Sequence, residues 1–316
     1  MGYASGHYSK KTAVGIAAAR ATAMTQVNGN GSMAALGACF HRAKYMIKQI
    51  LADAHADEGL WIAAINSPKD VTVAGNAELV DKLVLLARGR KIFVAKLKVT
   101  CAFHTPLMEL CEQDFRKLAK LAFTDGLSTP TVRTMSTVDP GWLARNMDED
   151  YCWDNIRQPV LFGKAVDDIV KERGPENVVF LEISPHPVLQ AYINHCGGKA
   201  FSLVRRPNPK VPAKNTGEYQ QLLEGIGGLL SAGFKAIDLA KLYATPDGRQ
   251  DFIQCKLPEY PYNRSKCWWE SAADRSLRLR EKRRPLSSTM FRLNCDTHPD
   301  LTGHVIFDRP IFPASG

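Results

Sequence analysis

The sequence predicts an α/β fold, and three of its segments carry that prediction. Residues 9–26 place Ala, Val, Ile and Met at helical spacing, with Ser9 as the N-cap. Residues 33–97 alternate short strand-like and helical units. The run Asn177–Ile183 is largely apolar and is bounded by Gly-Pro and Ser-Pro, which favours a buried parallel strand. Parallel strands with helices between them, interrupted by a small α+β insertion, describe an α/β-hydrolase-like body that carries a lid.

The insertion has the element order β-α-β-β-α-β, which predicts a ferredoxin-like subdomain. A Ser-Pro-Lys-Asp turn separates its two central strands. The predicted units are the strand Met33–Gly37, the helix Cys39–Ala56, the strands Leu60–Asn66 and Val71–Ala74, the helix Ala77–Gly89 and the strand Lys91–Leu97.

Longer helices return after the insertion, over residues 106–121 and within 151–172. From Arg205 the composition shifts to Pro and Gly around one helical stretch, which predicts a structured linker. A new strand-like segment begins at Met290. The predicted parts are therefore the end of a first core segment (1–31), the ferredoxin-like subdomain (32–97), the remainder of the core (98–204), the linker (205–289) and the start of another domain (290–316).

Composition excludes several classes of protein. The 316 residues are 45% hydrophobic, no apolar run approaches the roughly 20 residues of a membrane span, and the N-terminus lacks a signal-peptide pattern, so we expect a cytoplasmic protein without membrane contact. The eight cysteines form no Cys-x-x-Cys pair, which predicts reduced thiols and no metal site. The net charge of +9 depends strongly on a basic run over residues 275–292, which we interpret as a solvated linker or helix face because no nucleic-acid motif accompanies it.

The segment Val99–Met108 (VTCAFHTPLM) carries the strongest functional signal. It resembles the histidine segment of malonyl-type acyltransferase domains in polyketide and fatty acid synthases. The resemblance implies that His104 is the general base of a Ser-His pair. The sequence contains no Gly-x-Ser-x-Gly, the strand-turn-helix elbow that presents the nucleophilic serine in such folds. A base without its nucleophile cannot form an acyl-enzyme.

Further segments resemble the same family in the same order, and together they cover residues 1–206. The resemblance implies that Arg20 binds the free carboxylate of a malonyl group, since a guanidinium donates two parallel hydrogen bonds to a carboxylate. It also implies that Ala102 and Phe103 set extender-unit selectivity, with Cys101 standing where a histidine is often found. The matching segments are Arg20–Met24, Gly31–Leu36, Ala64–Gly75, Asn155–Phe162 and Leu181–Leu189.

The C-terminal part resembles two other pieces of such synthases. Residues 257–269 are similar to the linker that follows the acyltransferase domain in type I synthases. Residues 298–313 resemble the start of a hot-dog-fold dehydratase domain, which implies that His304 is its catalytic base and Pro313 the last residue of the pattern. Asp308 stands where that pattern has glycine, and the second-repeat aspartate that a dehydratase needs is absent from this sequence.

We therefore interpret the chain as a fragment of a type I iterative polyketide synthase or animal-type fatty acid synthase, cut just after the serine elbow. The parent, a homodimer by resemblance, would load malonyl units from malonyl-CoA onto the phosphopantetheine of an acyl carrier protein, working with the other synthase domains. The chain itself would bind no cofactor and would not catalyse the acyl transfer. One alternative is a standalone noncatalytic protein that docks an acidic acyl carrier protein through its basic surface. A serine hydrolase is disfavoured by the missing elbow.

Overall fold

The computed structural model describes residues 1–139, 141–207, 217–242 and 271–281, together with short strands at 305–306 and 309–310. The chain divides into two units, residues 1–242 and 243–316. The first unit contains the helices α1 Lys10–Met24, α2 Phe40–Asp53, α3 Ala77–Gly89, α4 Glu112–Ala122, α5 Glu149–Arg157, α6 Phe162–Arg173, α7 Gln190–His195, α8 Glu218–Ser231 and α9 Leu239–Leu242. Its strands are β1 Ser32–Leu36, β2 Leu60–Ser67, β3 Asp70–Gly75, β4 Val94–Lys96, β5 Val179–Glu182 and β6 Lys199–Ser202.

The predicted β-α-β-β-α-β insertion is present, and we refer to β1–β4 with α2 and α3 as the lid. Its strands form one antiparallel sheet in the order β2-β3-β1-β4. Residues of both helices share a single buried core with strand residues such as Leu36, Val71 and Val73. The prediction for the last strand was too long, because Lys91 (φ +56°) and Ile92 belong to the turn that closes α3, which leaves three residues to pair with β1.

A helical layer forms the second core, in which α4 packs against α1 and α5. Small residues of α1, including Ala19 and Ala23, face the rings of Phe115 and Trp153, whose centroids lie 6.0 Å apart. The single predicted helix over 106–121 is wrong in its first part, since residues 106–111 form a 3₁₀ helix before α4 begins. Helix α4 contacts both α1 and α5, and the side chain of Arg20 on α1 reaches Asn155 on α5.

The run predicted as a buried strand forms β5, which pairs in parallel with β6. Helices α6 and α7 contribute Val166, Val170 and Ile193 to the core beneath it. The expectation of full burial is wrong, because Leu181 is 41% exposed and Ile183 is 89% exposed. The physical reason is that, within the described residues, β5 pairs with β6 alone and its other edge has no partner strand.

The lid is joined to the core through β2. Val160, just before α6, forms a parallel bridge with β2: its amide donates to the carbonyl of Ala63 and its carbonyl accepts from the amide of Ile65, at 2.9 and 2.8 Å. Gly163 lies so close to the hairpin turn that an added Cβ would be 3.0 Å from the Cα of Ser67. The lid hairpin is therefore anchored directly to the segment that leads into α6.

The second unit contributes the helix α10 Ala272–Glu281 and the antiparallel pair β7 Val305–Ile306 and β8 Arg309–Pro310. Arg275 lies on an exposed part of α10, as expected of a solvated helix face. The predicted linker segment 257–269 and the residues His304, Asp308 and Pro313 lie outside the described residues. No helix in the described part of the chain combines the length and apolar character needed to cross a bilayer.

Candidate active site

His104 sits in a tightly constrained loop between β4 and the 3₁₀ helix at 106–111. Its backbone has φ +61°, a left-handed conformation that a bulky residue seldom adopts unless its surroundings impose it. The neighbours on either side supply that constraint: Ala102 and Thr105 are completely buried, and the Thr105 hydroxyl donates to the Ala102 carbonyl at 2.6 Å. The loop therefore holds the imidazole at a defined place.

A backbone carbonyl orients the imidazole. Nδ1 of His104 lies 3.1 Å from the carbonyl oxygen of Gln158, so Nδ1–H donates there and Nε2 is left as a proton acceptor. Two backbone contacts fix the position of that carbonyl. The backbone amide of Gln158 donates to the backbone carbonyl of Asp154 at 2.7 Å, and Val160, two residues later, is held in the bridge to β2. The lid hairpin therefore helps to position His104 indirectly: it binds Val160, and the carbonyl of Gln158, two residues earlier, orients the imidazole.

The electrostatic environment keeps His104 neutral. Burial lowers the pKa of His104, the positive charge of Arg20 lowers it further, and the hydrogen bond to Gln158 only partly opposes them, which brings the pKa to about 4. At neutral pH the side chain is therefore an uncharged imidazole that can accept a proton.

Arg20 projects from α1 into the space between α1 and α5. Its Nη1 donates to Oδ1 of Asn155 at 3.0 Å, and none of the ion pairs within the described residues involves it. Burial lowers the pKa of Arg20, although a guanidinium stays charged throughout the accessible pH range. A partly buried guanidinium whose protein partner is a neutral amide is suited to bind an anionic ligand.

Arg20 and Asn155 line a cavity of about 770 Å³ in the first unit. Most of its other lining side chains are apolar, and they come from α1, α5, α6 and β5. His104, Ala102 and Phe103 are not among the lining residues. His104 is nonetheless close enough to Arg20 for the guanidinium charge to lower its pKa, so the structure brings these two predicted residues into one electrostatic environment.

The two predicted selectivity residues lie under the lid. Ala102 is completely buried with Met33 and Ala74, and Phe103 packs against the same cluster. Gly31 makes this packing possible, because a Cβ at that position would lie 2.7 Å from the Cβ of Ala102. Ala102 thus has no exposed surface for a ligand in this structure.

Sequence reasoning assigned no role to three residues that the structure places around the predicted pair. Asn155 and Gln158 hold Arg20 and His104, respectively, and Cys152 lies beside Arg20 in the cavity lining. Burial raises the pKa of Cys152 to about 11, so this thiol is not a thiolate nucleophile at neutral pH. The sequence did contain one indication of these residues, because Asn155–Phe162 resembles a segment of the acyltransferase family. That resemblance identified the segment but not the contacts that its residues make.

Other chemistry is limited in the described part of the chain. Its residues form no group of His, Cys, Asp and Glu side chains arranged to bind a metal ion. The hydrogen bonds of His104 within these residues include none to a serine. The arrangement can therefore orient a base and bind a carboxylate, but it does not include a nucleophile beside the base.

An α/β core with an inserted ferredoxin-like lid, and a histidine in the electrostatic environment of a partly buried arginine, fit an acyltransferase type of protein, and comparison with known proteins agrees. Residues 1–216 match the acyl transferase domain family, and the chain belongs to that family. It is 32% identical over its whole length to the highly reducing polyketide synthase stpks1 of Strobilurus tenacellus, and 31% identical over 71% of its length to the highly reducing polyketide synthase ausV of Aspergillus calidoustus. It spans only 11% and 9% of those proteins.

Solved structures show the same fold. The acyltransferase domain from the second module of the salinomycin polyketide synthase matches 75% of this chain, with a TM-score of 0.59, 22% identity and 51% of that chain covered. The loading acyltransferase of the avermectin modular polyketide synthase matches 72% of this chain, with a TM-score of 0.62, 22% identity and 68% of that chain covered. The α/β acyltransferase fold predicted from the sequence is therefore confirmed, whereas nothing in these matches supports a hot-dog dehydratase.

Proposed function

We propose that residues 1–206 supply the base and the carboxylate-binding residue of a malonyl-type acyltransferase centre. The parent enzyme would move a malonyl group from malonyl-CoA to the phosphopantetheine thiol of an acyl carrier protein, within a type I polyketide or fatty acid synthase. The observation that carries the proposal is the pairing of a neutral His104, oriented by Gln158, with a partly buried Arg20 that has no carboxylate partner in the described residues.

In the proposed chemistry, Nε2 of His104 takes the proton of a serine hydroxyl as its oxygen attacks the thioester carbonyl. The C–S bond breaks, and the imidazolium returns the proton to the departing CoA thiolate. In the second half, Nε2 takes the proton of the pantetheine thiol, whose sulfur attacks the acyl-serine ester, and the serine oxygen leaves with that proton. The carboxylate of the malonyl group would bind Arg20 throughout both halves.

Binding of the substrate carboxylate would also improve the base. A pKa of about 4 leaves His104 neutral but makes it a weak proton acceptor. A carboxylate on Arg20 would neutralise the guanidinium charge that lowers this pKa, and so raise the pKa of His104 toward its ordinary value. An acetyl group has no such carboxylate. This arrangement therefore favours a dicarboxylic acyl group in two ways: its free carboxylate binds Arg20, and that binding makes His104 a stronger proton acceptor.

Residues 1–316 alone would not complete this reaction. The sequence has no Gly-x-Ser-x-Gly, and the Cys152 thiol beside Arg20 has a pKa of about 11. We therefore expect purified protein incubated with radiolabelled malonyl-CoA to remain unlabelled. A stable acyl-enzyme on this chain would overturn that part of the proposal.

The role of Arg20 can be tested separately by NMR titration with malonyl-pantetheine and acetyl-pantetheine. We expect the malonyl compound to bind more tightly, and Arg20→Met to remove that preference. Arg42→Met, on an exposed position of α2, is the matched control and should leave the preference intact. Equal binding of both compounds, or an unchanged preference in Arg20→Met, would contradict the assignment.

For residues 257–316 the proposal rests on sequence resemblance alone. We propose that they form the linker after the acyltransferase domain and the first strands of a dehydratase domain, with His304 as a base that removes the α-proton of a β-hydroxyacyl thioester. Sequencing the native transcript across both ends tests this assignment. A continuation without a second hot-dog repeat would refute it.

A further inference from the structure

The chain enters the lid through a loop with the sequence Asn28-Gly29-Asn30-Gly31, which lies between the 3₁₀ turn Thr25–Val27 and β1. The sequence contains no other Asn-Gly pair. In such a pair the glycine amide nitrogen can attack the carbonyl carbon of the preceding side chain, because glycine has no Cβ to hinder the approach. The loop therefore carries a reactivity that the acyltransferase site does not use.

The loop is bonded to the segment that leads out of the lid toward His104. The amides of Gly29 and Gly31 both donate to the carbonyl of Thr100, at 2.9 and 3.3 Å. The Thr100 hydroxyl donates in turn to Oδ1 of Asn28. Because Thr100 precedes His104 by only four positions, a covalent change in the loop acts directly on the segment that carries the histidine.

The structure restrains the second pair, Asn30-Gly31, on both sides. Nδ2 of Asn30 donates to the carbonyl of Leu107 at 3.2 Å, and Oδ1 accepts from the amide of Ala102 at 3.4 Å. Gly31 is buried, and a Cβ there would lie 2.6 Å from the carbonyl oxygen of Gly75 on β3. The side chain and the following amide therefore cannot turn toward each other without displacing the lid sheet.

The first pair, Asn28-Gly29, is less restrained. Both residues are exposed, and a Cβ added at Gly29 would find no atom within 4 Å. Ring closure requires rotation about the Cα–C bond of Asn28 away from its ψ of 127°, so that the Gly29 nitrogen approaches Cγ. This rotation breaks hydrogen bonds to Thr100, which is itself exposed. Exposed loop hydrogen bonds open locally at a small fraction of the free energy of global unfolding.

We propose that Asn28 is a site of spontaneous deamidation whose product acts on the loop of His104. The Gly29 amide nitrogen gives its proton to solvent and attacks Cγ of Asn28. The new N–C bond closes a succinimide ring, and the C–NH₂ bond breaks, so that the NH₂ group takes up a proton and leaves as ammonia. Water then adds to either ring carbonyl and opens the ring to aspartate or isoaspartate. The sum consumes water and releases ammonia, without an oxidant or any other reactant.

Either product changes the connection to Thr100. Both place a negative charge where the neutral amide of Asn28 stood. Isoaspartate also carries the chain through its side-chain carbons, which lengthens the main chain by one atom before Gly29. The amides of Gly29 and Gly31 then no longer fit a single carbonyl oxygen, so the segment from Thr100 to His104 loses one of its restraints.

Peptide mapping of the whole chain tests the site. Folded protein and protein in urea are kept at mildly alkaline pH, and conversion of each asparagine is followed by mass spectrometry. In urea both Asn-Gly pairs should react at similar rates. In the folded chain Asn28 should convert at least about tenfold faster than Asn30, because only the opening at Asn28 is local. A rate at Asn30 equal to or above that at Asn28, or an unreacted Asn28 once the urea sample has converted, would overturn the proposal.

Two controls identify the reacting residue. Asn76 is exposed but is followed by Ala77 and caps α3, so it should stay unconverted in the folded chain. Asn28→Gln keeps an amide side chain but would have to close a larger ring, which is slower, so conversion of the loop should be lost. An undiminished conversion of the loop in Asn28→Gln would assign the reaction to Asn30 and would also overturn the proposal.

The effect on the His104 loop is measured on the isoaspartate form, separated by ion-exchange chromatography. Hydrogen exchange should be faster than in fresh protein at Gly31 and over residues 102–104, and unchanged in β3. Asn28→Asp, which has the charge but an ordinary main chain, is the matched control and should show a smaller increase. Unchanged exchange in the isoaspartate form would overturn the effect on the loop. None of these readouts is acyl transfer, so they stand or fall independently of the proposed function.

Discussion

The titration of His104 gives the sharpest physical prediction. Burial and the charge of Arg20 bring the pKa of His104 to about 4 in the folded chain, against 6.5 for an unperturbed histidine. Above pH 6.5 the side chain is neutral in both the folded and the unfolded states, so it does not affect the pH dependence of stability. Below pH 6.5 the unfolded chain binds a proton that the folded chain does not, so stability is lost as pH falls from 6.5 toward 4.

The size of this loss follows from the shift. A difference of one pKa unit corresponds to 1.36 kcal/mol, so a fall from 6.5 to about 4 corresponds to roughly 3 kcal/mol in the free energy of unfolding. Because the ring is only partly buried, we expect a measured loss of about 2–3 kcal/mol. This is a large part of the stability of a typical domain.

Two measurements test the prediction. NMR should show the His104 ring proton titrating near pH 4, with the resonance identified by its absence in His104→Gln. Urea unfolding of His104→Gln should lose less stability between pH 6.5 and 4 than the unmodified chain, by the amount given above. Arg20→Met should raise the pKa of His104 while burial still holds it below 6.5, and malonate should raise it more than acetate. A His104 titration near pH 6.5 in the unmodified chain would refute the reasoning.

Three further predictions concern the supports of the site, and urea unfolding measures each. Gly163→Ala should cost about 1–3 kcal/mol, because the new Cβ would press on the backbone of Ser67; no change would refute the close contact. Asp70→Ala should cost about 1–3 kcal/mol, because the buried Ser67 hydroxyl, which donates to Asp70 at 2.5 Å, loses its acceptor, whereas the exposed partner His195 adds little; no change in stability would contradict this. Glu182→Gln should cost about 2 kcal/mol, because this carboxylate accepts amide hydrogen bonds from the turn before α7. Burial alone would raise the pKa of Glu182, but those hydrogen bonds outweigh it and lower the pKa below its ordinary 4.5. The cost of Glu182→Gln should therefore shrink as pH falls below 4.5, and a pH-independent cost would refute the reasoning.

Local sequence pattern was sufficient to predict the elements of the lid and of α1. Ser9 caps α1 by accepting a hydrogen bond from the amide of Thr12, as its side chain and position indicated. The alternating units of residues 33–97 fold in the predicted order because each has the periodicity of its own element. Periodicity could not reveal that Leu181 and Ile183 are exposed, since burial depends on whether a neighbouring strand is present.

The site was predictable only in part. Motif resemblance identified His104 and Arg20, but their partners come from residues distant in sequence: Asn155 is 135 positions from Arg20 and Gln158 is 54 from His104. The group that orients His104 is a backbone carbonyl, which every residue possesses and no sequence pattern marks. The left-handed backbone of His104 likewise depends on buried neighbours rather than on its own preference.

Reconstituted acyl transfer is the measurement that tests the central claim most directly. Residues 1–316 would be mixed with malonyl-CoA and with a second polypeptide, produced separately, that is the part of the stpks1 acyltransferase domain of Strobilurus tenacellus preceding the region aligned with residue 1. Each polypeptide would then be analysed by intact mass. We predict a malonyl adduct on the serine of the added segment, formed only when residues 1–316 are present and lost with His104→Ala. An adduct on residues 1–316 themselves, or one that forms equally well with His104→Ala, would contradict the assignment of this chain as the part of an acyltransferase that supplies the base.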